Sequence, residues 1–151
     1  MSIEVVLPGL QTTIQDHGRY GCRHMGIPQS GAADLFSYKL ANFLLGQLPN
    51  ATVLECTLTG PSLRFLSNMQ IMISGADMQP EVNGSAIDMF APCRVQAGDE
   101  LIMHACLVGC RSYIAFSKDL VCDSFMGSSS TYLPAKLGGL NGKALASGDV
   151  V

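Results

Sequence analysis

Several residues that could perform acid–base or anion-binding chemistry lie close together in the sequence T-T-I-Q-D-H-G-R-Y-G-C-R-H-M-G-I-P-Q-S-G-A-A-D, from Thr12 to Asp34. This segment holds two of the chain's three histidines, two arginines and two aspartates. Arginine matches planar anions such as carboxylate and bicarbonate, and histidine acts as an acid or base near neutral pH. We therefore predict four catalytic candidates: Asp16, Arg19, His24 and Asp34.

Each candidate also has a structural interpretation. Asp16 and Arg19 are close enough in sequence to form an ion pair that only fixes the loop. A lone histidine such as His24 is often a hydrogen-bonded structural residue. Asp34 precedes an apolar segment of helical period, where it would cap the helix or orient Arg19 or His24.

A second group of polar residues is predicted to bind substrate: Ser30, Gly31, Glu55, Asp77, Ser128, Ser130 and Thr131. No predicted strand leads into Ser30, so it does not fit the nucleophile turn of a serine hydrolase and is interpreted as a binding or capping hydroxyl. Glu55 lies inside the apolar L-E-C-T-L, where an unpaired carboxylate is costly, so it has a partner or points into a pocket. Asp77 ends another predicted strand and would face the same site. The small hydroxyls of G-S-S-S-T suit an anion and are equally typical of an ordinary loop.

One helix is predicted to position these groups, from Asp34 to Leu45. Its apolar residues recur at helical spacing and are expected to face a core. They form a stripe of five residues: Leu35, Phe36, Leu40, Phe43 and Leu44. Gly46 stands at the position where a helix commonly ends on a residue in the left-handed conformation. Free N–H groups at the helix start would form an anion site, and a capped helix is the alternative. The preceding segment, through about Gly31, is predicted to be an ordered loop packed over the core.

The remaining elements are predicted to be short strands, which indicate a mainly β barrel or sandwich. After Ile3–Leu7 they lie at Thr52–Thr57, Ser62–Leu66, Met69–Ser74, Glu81–Val82, Ala86–Met89, Cys93–Gln96, Leu101–His104 and Arg111–Phe116, with a last candidate at Val150–Val151. Asn83-Gly84 is a strong hairpin signal.

Composition limits the class of protein. The 151 residues fit one domain, and the net charge of −3 without a basic stripe argues against nucleic-acid binding. No apolar segment is long enough to cross a membrane, and the first residues are unlike a signal peptide, so a cytoplasmic location is expected. The six cysteines show no zinc-type spacing, so no metal site is predicted. Only 14% of residues are charged, which indicates a surface covered by a partner.

Motifs along the whole chain resemble those of the allophanate hydrolase subunit 2 family, which is also called KipA-like and includes one of the subunits of 5-oxoprolinase. This family is related to the carboxyltransferase domain of biotin-dependent urea carboxylases. The matching motifs are T-T-I-Q-D-H-G-R, G-I-P-Q-S-G-A-A-D, L-E-C-T-L-T-G-P, I-S-G-A-D, G-S-S-S-T and G-G-L-N-G-K-A-L-A-S-G-D. The resemblance implies a cyclophilin-like β-barrel with one packed helix. It also implies that residues 1–151 form a single domain like the N-terminal half of the family.

The resemblance implies three alternative functions. The chain is part of an ATP-dependent 5-oxoprolinase-type complex acting on a small amide or carboxylate, a biotin-dependent carboxyltransferase module, or a non-enzymatic regulator that binds a KipI-like kinase inhibitor. The sequence contains no A-M-K-M biotin-attachment motif and no Walker A motif. We therefore expect no cofactor on this chain, with ATP or biotin held by other subunits.

The expected partner is a KipI-like companion chain. The resemblance implies that this companion corresponds to a 5-oxoprolinase subunit other than the one that this chain resembles. Because the second half of the family would be missing or supplied by another chain, we also expect the isolated chain to fold, to expose apolar surface and to associate with itself or with a partner.

Overall fold

Ten strands and one helix make up the part of the chain that the structure describes, residues 2–151 of a computed structural model. The strands are β1 Ile3–Leu7, β2 Gln11–Gln15, β3 Val53–Thr57, β4 Ser62–Phe65, β5 Met69–Asp77, β6 Glu81–Val82, β7 Ser85–Ala86, β8 Cys93–Val95, β9 Glu100–Ile102 and β10 Val108–Phe116. The helix α1 spans Leu35–Leu45, and single 3₁₀ turns lie at Arg23–Met25 and Leu133–Ala135.

The strands form two antiparallel five-stranded sheets, in the orders β1-β4-β9-β6-β7 and β2-β3-β10-β5-β8. The larger of two apolar clusters includes residues of both sheets, among them Phe65, Leu101, Ile71 and Ile114. The smaller cluster contains Tyr38 and Ala41 of the helix together with residues of β3, β5 and β10. The mainly β, cyclophilin-like architecture with one packed helix is confirmed. The predicted terminal strand is instead an isolated bridge, in which Val151 exchanges backbone hydrogen bonds with Ile3.

Strand β2 begins the segment that we predicted to be a loop, and this is a correction. All five residues of β2 pair with β3, from Gln11 opposite Thr57 to Gln15 opposite Val53. The alternation expected of a half-buried strand is absent because four consecutive residues are buried. Their polar groups are satisfied locally, as where the Thr12 hydroxyl donates to the Pro8 carbonyl at 2.6 Å.

Helix α1 has the predicted extent and caps, but the face that it buries is not the predicted one. Its buried residues are Ser37, Tyr38, Ala41 and Asn42, whereas Phe36 and Phe43 are 75% and 76% exposed. Hydrogen bonds fix this orientation, since Tyr38 Oη and Asn42 Nδ2 each donate to the Ala51 carbonyl at 3.0 Å. The helix packs against β5 and β10, with the small side chains of Ser37 and Ala41 on its buried face, and the apolar stripe faces outward.

Within residues 2–151 no helix is long and apolar enough to span a membrane.

The outward stripe of α1 predicts that the chain associates in solution, because exposed apolar patches favour contact between proteins. Replacing Phe36 and Phe43 together by serine should reduce the apparent mass in light scattering and leave the melting temperature close to that of the wild type. Leu66→Ser, at an exposed leucine near the end of β4, is the matched control. Equal association of the double variant and the wild type would contradict the prediction.

Candidate functional site

Backbone hydrogen bonds join the two ends of the segment between β2 and α1, and these joined ends form the base of the segment. The Arg19 N–H donates to the Gln29 carbonyl at 2.7 Å, and the Ala32 N–H donates to the Asp16 carbonyl at 2.9 Å. The approach is so close that a Cβ on Gly31 would lie 2.9 Å from the Gly18 nitrogen. Gly31, predicted to bind substrate, is thus required for packing at this base.

The carboxylate of Asp16 joins this base to a segment more than a hundred residues away. It accepts hydrogen bonds from the Gly18 N–H, the Ser128 hydroxyl and the Ser129 N–H, each at 2.7 Å, and from the Ser130 hydroxyl. Burial by itself raises the pKa of Asp16, but the hydrogen bonds from Ser130, Ser128 and the two backbone groups together lower it below its ordinary value. Asp16 is therefore a buried, ionised acceptor at neutral pH.

Arg19 lies beside Asp16 and is 1% exposed. Its Nε donates to the Phe125 carbonyl at 3.1 Å, its Nη2 donates to the Ser130 carbonyl, and the guanidinium stands 5.9 Å from the centre of the Phe125 ring. Burial lowers the pKa of Arg19, and the negative charge of Asp16 acts in the opposite direction. In this conformation the side chain holds the 125–130 segment and is closed to solvent.

Thr131, Ser30 and His24 lie in the same region but make no hydrogen bond to the side chains of Asp16 or Arg19. The Thr131 hydroxyl and N–H both donate to the Ile14 carbonyl at 2.9 Å, which attaches the G-S-S-S-T segment to the free edge of β2. The Ser30 hydroxyl is buried without a partner among the described residues. His24 is exposed on the 3₁₀ turn, away from these contacts. The catalytic role of His24 stays a prediction.

Asp34 caps α1, as one of the sequence interpretations held. Its Oδ1 accepts from the Phe36 and Ser37 N–H groups at 3.0 and 3.1 Å, and the Ser37 hydroxyl donates to Oδ2 at 2.5 Å. These hydrogen bonds, the Ser37 hydroxyl first, lower the pKa of Asp34. The anion site considered for the helix start is therefore already filled by the protein's own carboxylate.

Glu55 is a buried carboxylate with partners, which was one of the two alternatives derived from its apolar strand. Its Oε2 accepts from the Ala33 N–H at 2.8 Å and from the Tyr113 hydroxyl at 2.9 Å. Burial and then the charge of Glu55 raise the pKa of Tyr113, so its hydroxyl remains a donor. The same hydroxyl accepts from the Asp34 N–H at 2.7 Å, which fixes the start of α1 against β3 and β10.

Arg111 lies beside this cluster and was not among the predicted site residues. Its Nη1 donates to the Thr57 hydroxyl at 3.0 Å and lies 3.5 Å from Glu55 Oε1. An irregularity in β10 places it there, because Val108 pairs with Asp77 but Ser112 pairs with Gly75. Such bulges redirect side chains at the edge of a site. The available sequence signals were Gly109 and a single charge in an otherwise apolar strand.

A cavity of about 540 Å³ opens between the start of α1 and this bulge. Asp34, Ser37 and Arg111 supply polar groups to it, and Phe36, Phe90 and Val108 supply apolar ones. A second cavity, of about 590 Å³, shares Gly75 and Phe90 with the first and contains Asp77 and His104. The structure thus brings Asp34 and Glu55 together, with Asp77 in the adjoining cavity, and holds Asp16, Arg19, Ser128, Ser130 and Thr131 in a separate buried cluster.

Among residues 2–151 no three histidine, cysteine, aspartate or glutamate side chains are arranged so that they could hold a metal ion.

The fold matches a known class of domain. The family model for the carboxyltransferase domain, subdomain A and B, matches residues 25–151. The crystal structure of the Kluyveromyces lactis urea carboxylase superposes with a TM-score of 0.97 at 37% identity, over 99% of this chain and 13% of that one. This chain belongs to the carboxyltransferase domain family, as its motifs indicated.

Two curated relatives show the range of proteins that contain this domain. Urea amidolyase of Lachancea kluyveri is 38% identical over 151 residues, which are 99% of this chain and 8% of the relative. A 5-oxoprolinase subunit of Escherichia coli is 33% identical over 147 residues, which are 97% of this chain and 47% of the relative. The chain spans less than half the length of either relative.

The Asp16 cluster predicts a specific dependence of stability on pH. Because the pKa of Asp16 in the folded protein lies below its ordinary value of 3.8, its ionised form stabilises the fold above that pH, and this stability is lost as the pH falls through the folded pKa. Asp16→Asn should therefore lower the free energy of unfolding at pH 7 and flatten its decline below about pH 4. Urea denaturation across the pH range measures both. Asp119→Asn, at an exposed carboxylate, is the control, and an unchanged acid slope in Asp16→Asn would contradict the assignment.

Arg19→Ala is expected to cost stability, although the sequence indicated Arg19 as a catalytic candidate. It leaves Asp16 without its adjacent cation and removes the guanidinium donors from the carbonyls of Phe125 and Ser130. Breaking such a buried charged network costs about 3 kcal/mol. Asp34→Ala removes one helix cap and should cost only about 1 kcal/mol. Chemical denaturation of both variants measures the difference, and equal losses would be contrary to this expectation.

Proposed function

We propose that this chain is the part of an ATP-dependent, multi-subunit enzyme of the 5-oxoprolinase type that binds a small amide or carboxylate. The observation that supports this most is the cavity at the start of α1, in which a carboxylate and a guanidinium line one space of about 540 Å³. A space of this size suits a small metabolite, since ligand sites of small molecules typically range from about 300 to 1,000 Å³.

A carboxyltransferase module of the urea carboxylase type is the second candidate. It is favoured by the higher identity to urea amidolyase, 38% against 33% for the 5-oxoprolinase relative. The same cavity serves either reaction, because both substrates carry an amide or ureido group. In either case we propose that the nucleotide, or biotin on its carrier, is bound outside these 151 residues, and the cytoplasmic location expected from the sequence remains part of the proposal.

A companion chain is also part of the proposal. The E. coli relative is named as one subunit of 5-oxoprolinase, and the partner that we propose here is KipI-like, a different subunit of such an enzyme. The outward apolar stripe of α1 supports association because a soluble chain rarely leaves such side chains uncovered. If the complex forms without turnover, the regulatory alternative, a KipA-like protein that sequesters a KipI-like inhibitor, becomes the better description.

Reconstitution separates these functions. The purified chain is combined with a KipI-like companion and the remaining 5-oxoprolinase subunits, and ATP-dependent release of glutamate from 5-oxoproline is measured. A parallel reaction contains a biotinylated carrier, biotin carboxylase, bicarbonate, ATP and urea, and carboxylation of urea is measured. We expect turnover in the first reaction and none when the chain is omitted. Turnover only in the second would replace the proposal by the carboxyltransferase function, and binding of the companion without turnover in either reaction would contradict both enzymatic proposals.

A further inference from the structure

We infer that Arg111 and Asp34 together bind a neutral amide group in the cavity at the start of α1, with Arg111 donating to the carbonyl oxygen and Asp34 accepting from the amide N–H. This inference rests on the proposed function and narrows it, because it names the residues and the charge state of the group that they recognise. It also assigns ligand recognition to Arg111 in place of Arg19, the arginine that the sequence indicated.

The guanidinium of Arg111 is anchored on one side and open on the other. Nη1 is occupied by Thr57 and Glu55, and among the described residues Nε and Nη2 have no hydrogen-bond partner. The side chain is 36% exposed and lines the cavity. A guanidinium that is fixed at one nitrogen and free at the others is oriented before a ligand arrives, so less conformational entropy is lost on binding.

Asp34 offers a matching acceptor in the same cavity. Its Oδ1 is occupied by the two helix N–H groups, and its Oδ2 accepts one hydrogen bond, from the Ser37 hydroxyl. An ionised carboxylate oxygen accepts more than one hydrogen bond, so Oδ2 retains the capacity for a ligand N–H. Because the cap fixes the carboxylate, this acceptor also has a defined direction.

The charge balance decides between an amide and an anion. Arg111 and Asp34 are the charged residues among the described ones that line the cavity, and Glu55 lies against Arg111 from behind. These three groups carry one net negative charge, and the adjoining cavity adds Asp77, Glu81 and Asp88. A carboxylate group placed between Arg111 and Asp34 would meet repulsion from these acidic residues, whereas an amide group satisfies the donor and the acceptor without adding charge.

Arg19 does not fit this role in the structure described. It is 1% exposed, its Nε and Nη2 are bound to backbone carbonyls, and it does not line the cavity. Arg111 is therefore the arginine whose position suits a ligand.

The test compares two probes of nearly equal shape, propionamide and propionate, binding to the purified chain at neutral pH in protein-detected NMR titrations. We expect propionamide to bind and propionate to bind more weakly. Arg111→Gln should weaken propionamide binding by about tenfold or more, and Arg111→Lys should weaken it less, because it keeps the charge but loses the planar fork. Asp34→Asn keeps a capping side chain and removes the negative charge, so it should shift the preference from propionamide towards propionate.

The controls are Arg94→Gln and Asp119→Asn, which remove one charge of each sign at exposed residues outside this cavity. Both should bind propionamide as the wild type does. Thermal denaturation of every variant separates loss of binding from loss of folding. The inference is overturned if Arg111→Gln binds propionamide as the wild type does while remaining folded, if propionate is the tighter probe for the wild type, or if neither probe binds.

These outcomes are independent of turnover. An enzyme complex that is active with folded Arg111→Gln would leave the proposed function standing and reject the inference. If the probes bind in the expected pattern but the chain supports no turnover in any reconstituted complex, the inference stands and the proposed function is rejected.

Discussion

The carboxylate of Asp16 ties together parts of the chain that are far apart in sequence. It accepts four hydrogen bonds, two of them from serine hydroxyls and two from backbone N–H groups. Through them the end of β2, the base of the 16–32 segment and the irregular 128–130 segment become one unit. A buried carboxylate is tolerated only when it is satisfied in this way. The path of the chain into α1, and hence the position of the helix start, depends on this contact.

The helix start depends on a second buried carboxylate. Glu55 receives the Ala33 N–H and the Tyr113 hydroxyl, and Tyr113 in turn receives the Asp34 N–H. The side chains of Glu55 and Tyr113 thus act on the last residues before the helix, while Asp16 acts on the segment that precedes them. Together they fix Asp34 as a cap, and the cavity forms where this fixed end meets the bulge of β10. A ligand site requires side chains that supporting residues hold in place and that still present free polar groups to the cavity.

Local sequence signals predicted where the helix and the β6–β7 hairpin lie better than they predicted which faces of the helix and strands are buried. The extent of α1 followed from its apolar period, its capping aspartate and Gly46, and Asn83-Gly84 marked the β6–β7 hairpin. The strand β2 was missed because both of its faces are covered, which removes the alternation on which strand prediction relies. The face of α1 was wrong for a related reason. Apolar period indicates which residues share a side of a helix, but hydrogen bonds from Tyr38 and Asn42 to Ala51 decided which side meets the sheet.

The two arginines show why the site itself was only partly predictable. Residue type and spacing singled out Arg19, since it lies two residues beyond a histidine and three beyond an aspartate in a segment rich in polar groups. Yet in the folded chain that segment packs against residues 125–130, and the Nε and Nη2 of Arg19 donate to the carbonyls of Phe125 and Ser130, which leaves the side chain buried. Arg111 lies in an apolar strand with no such neighbours in sequence, and only the bulge opposite Gly75 brings it to the cavity rim. A charge with few local partners keeps donors available for a ligand, and its position is set by strand register, which a single sequence does not reveal.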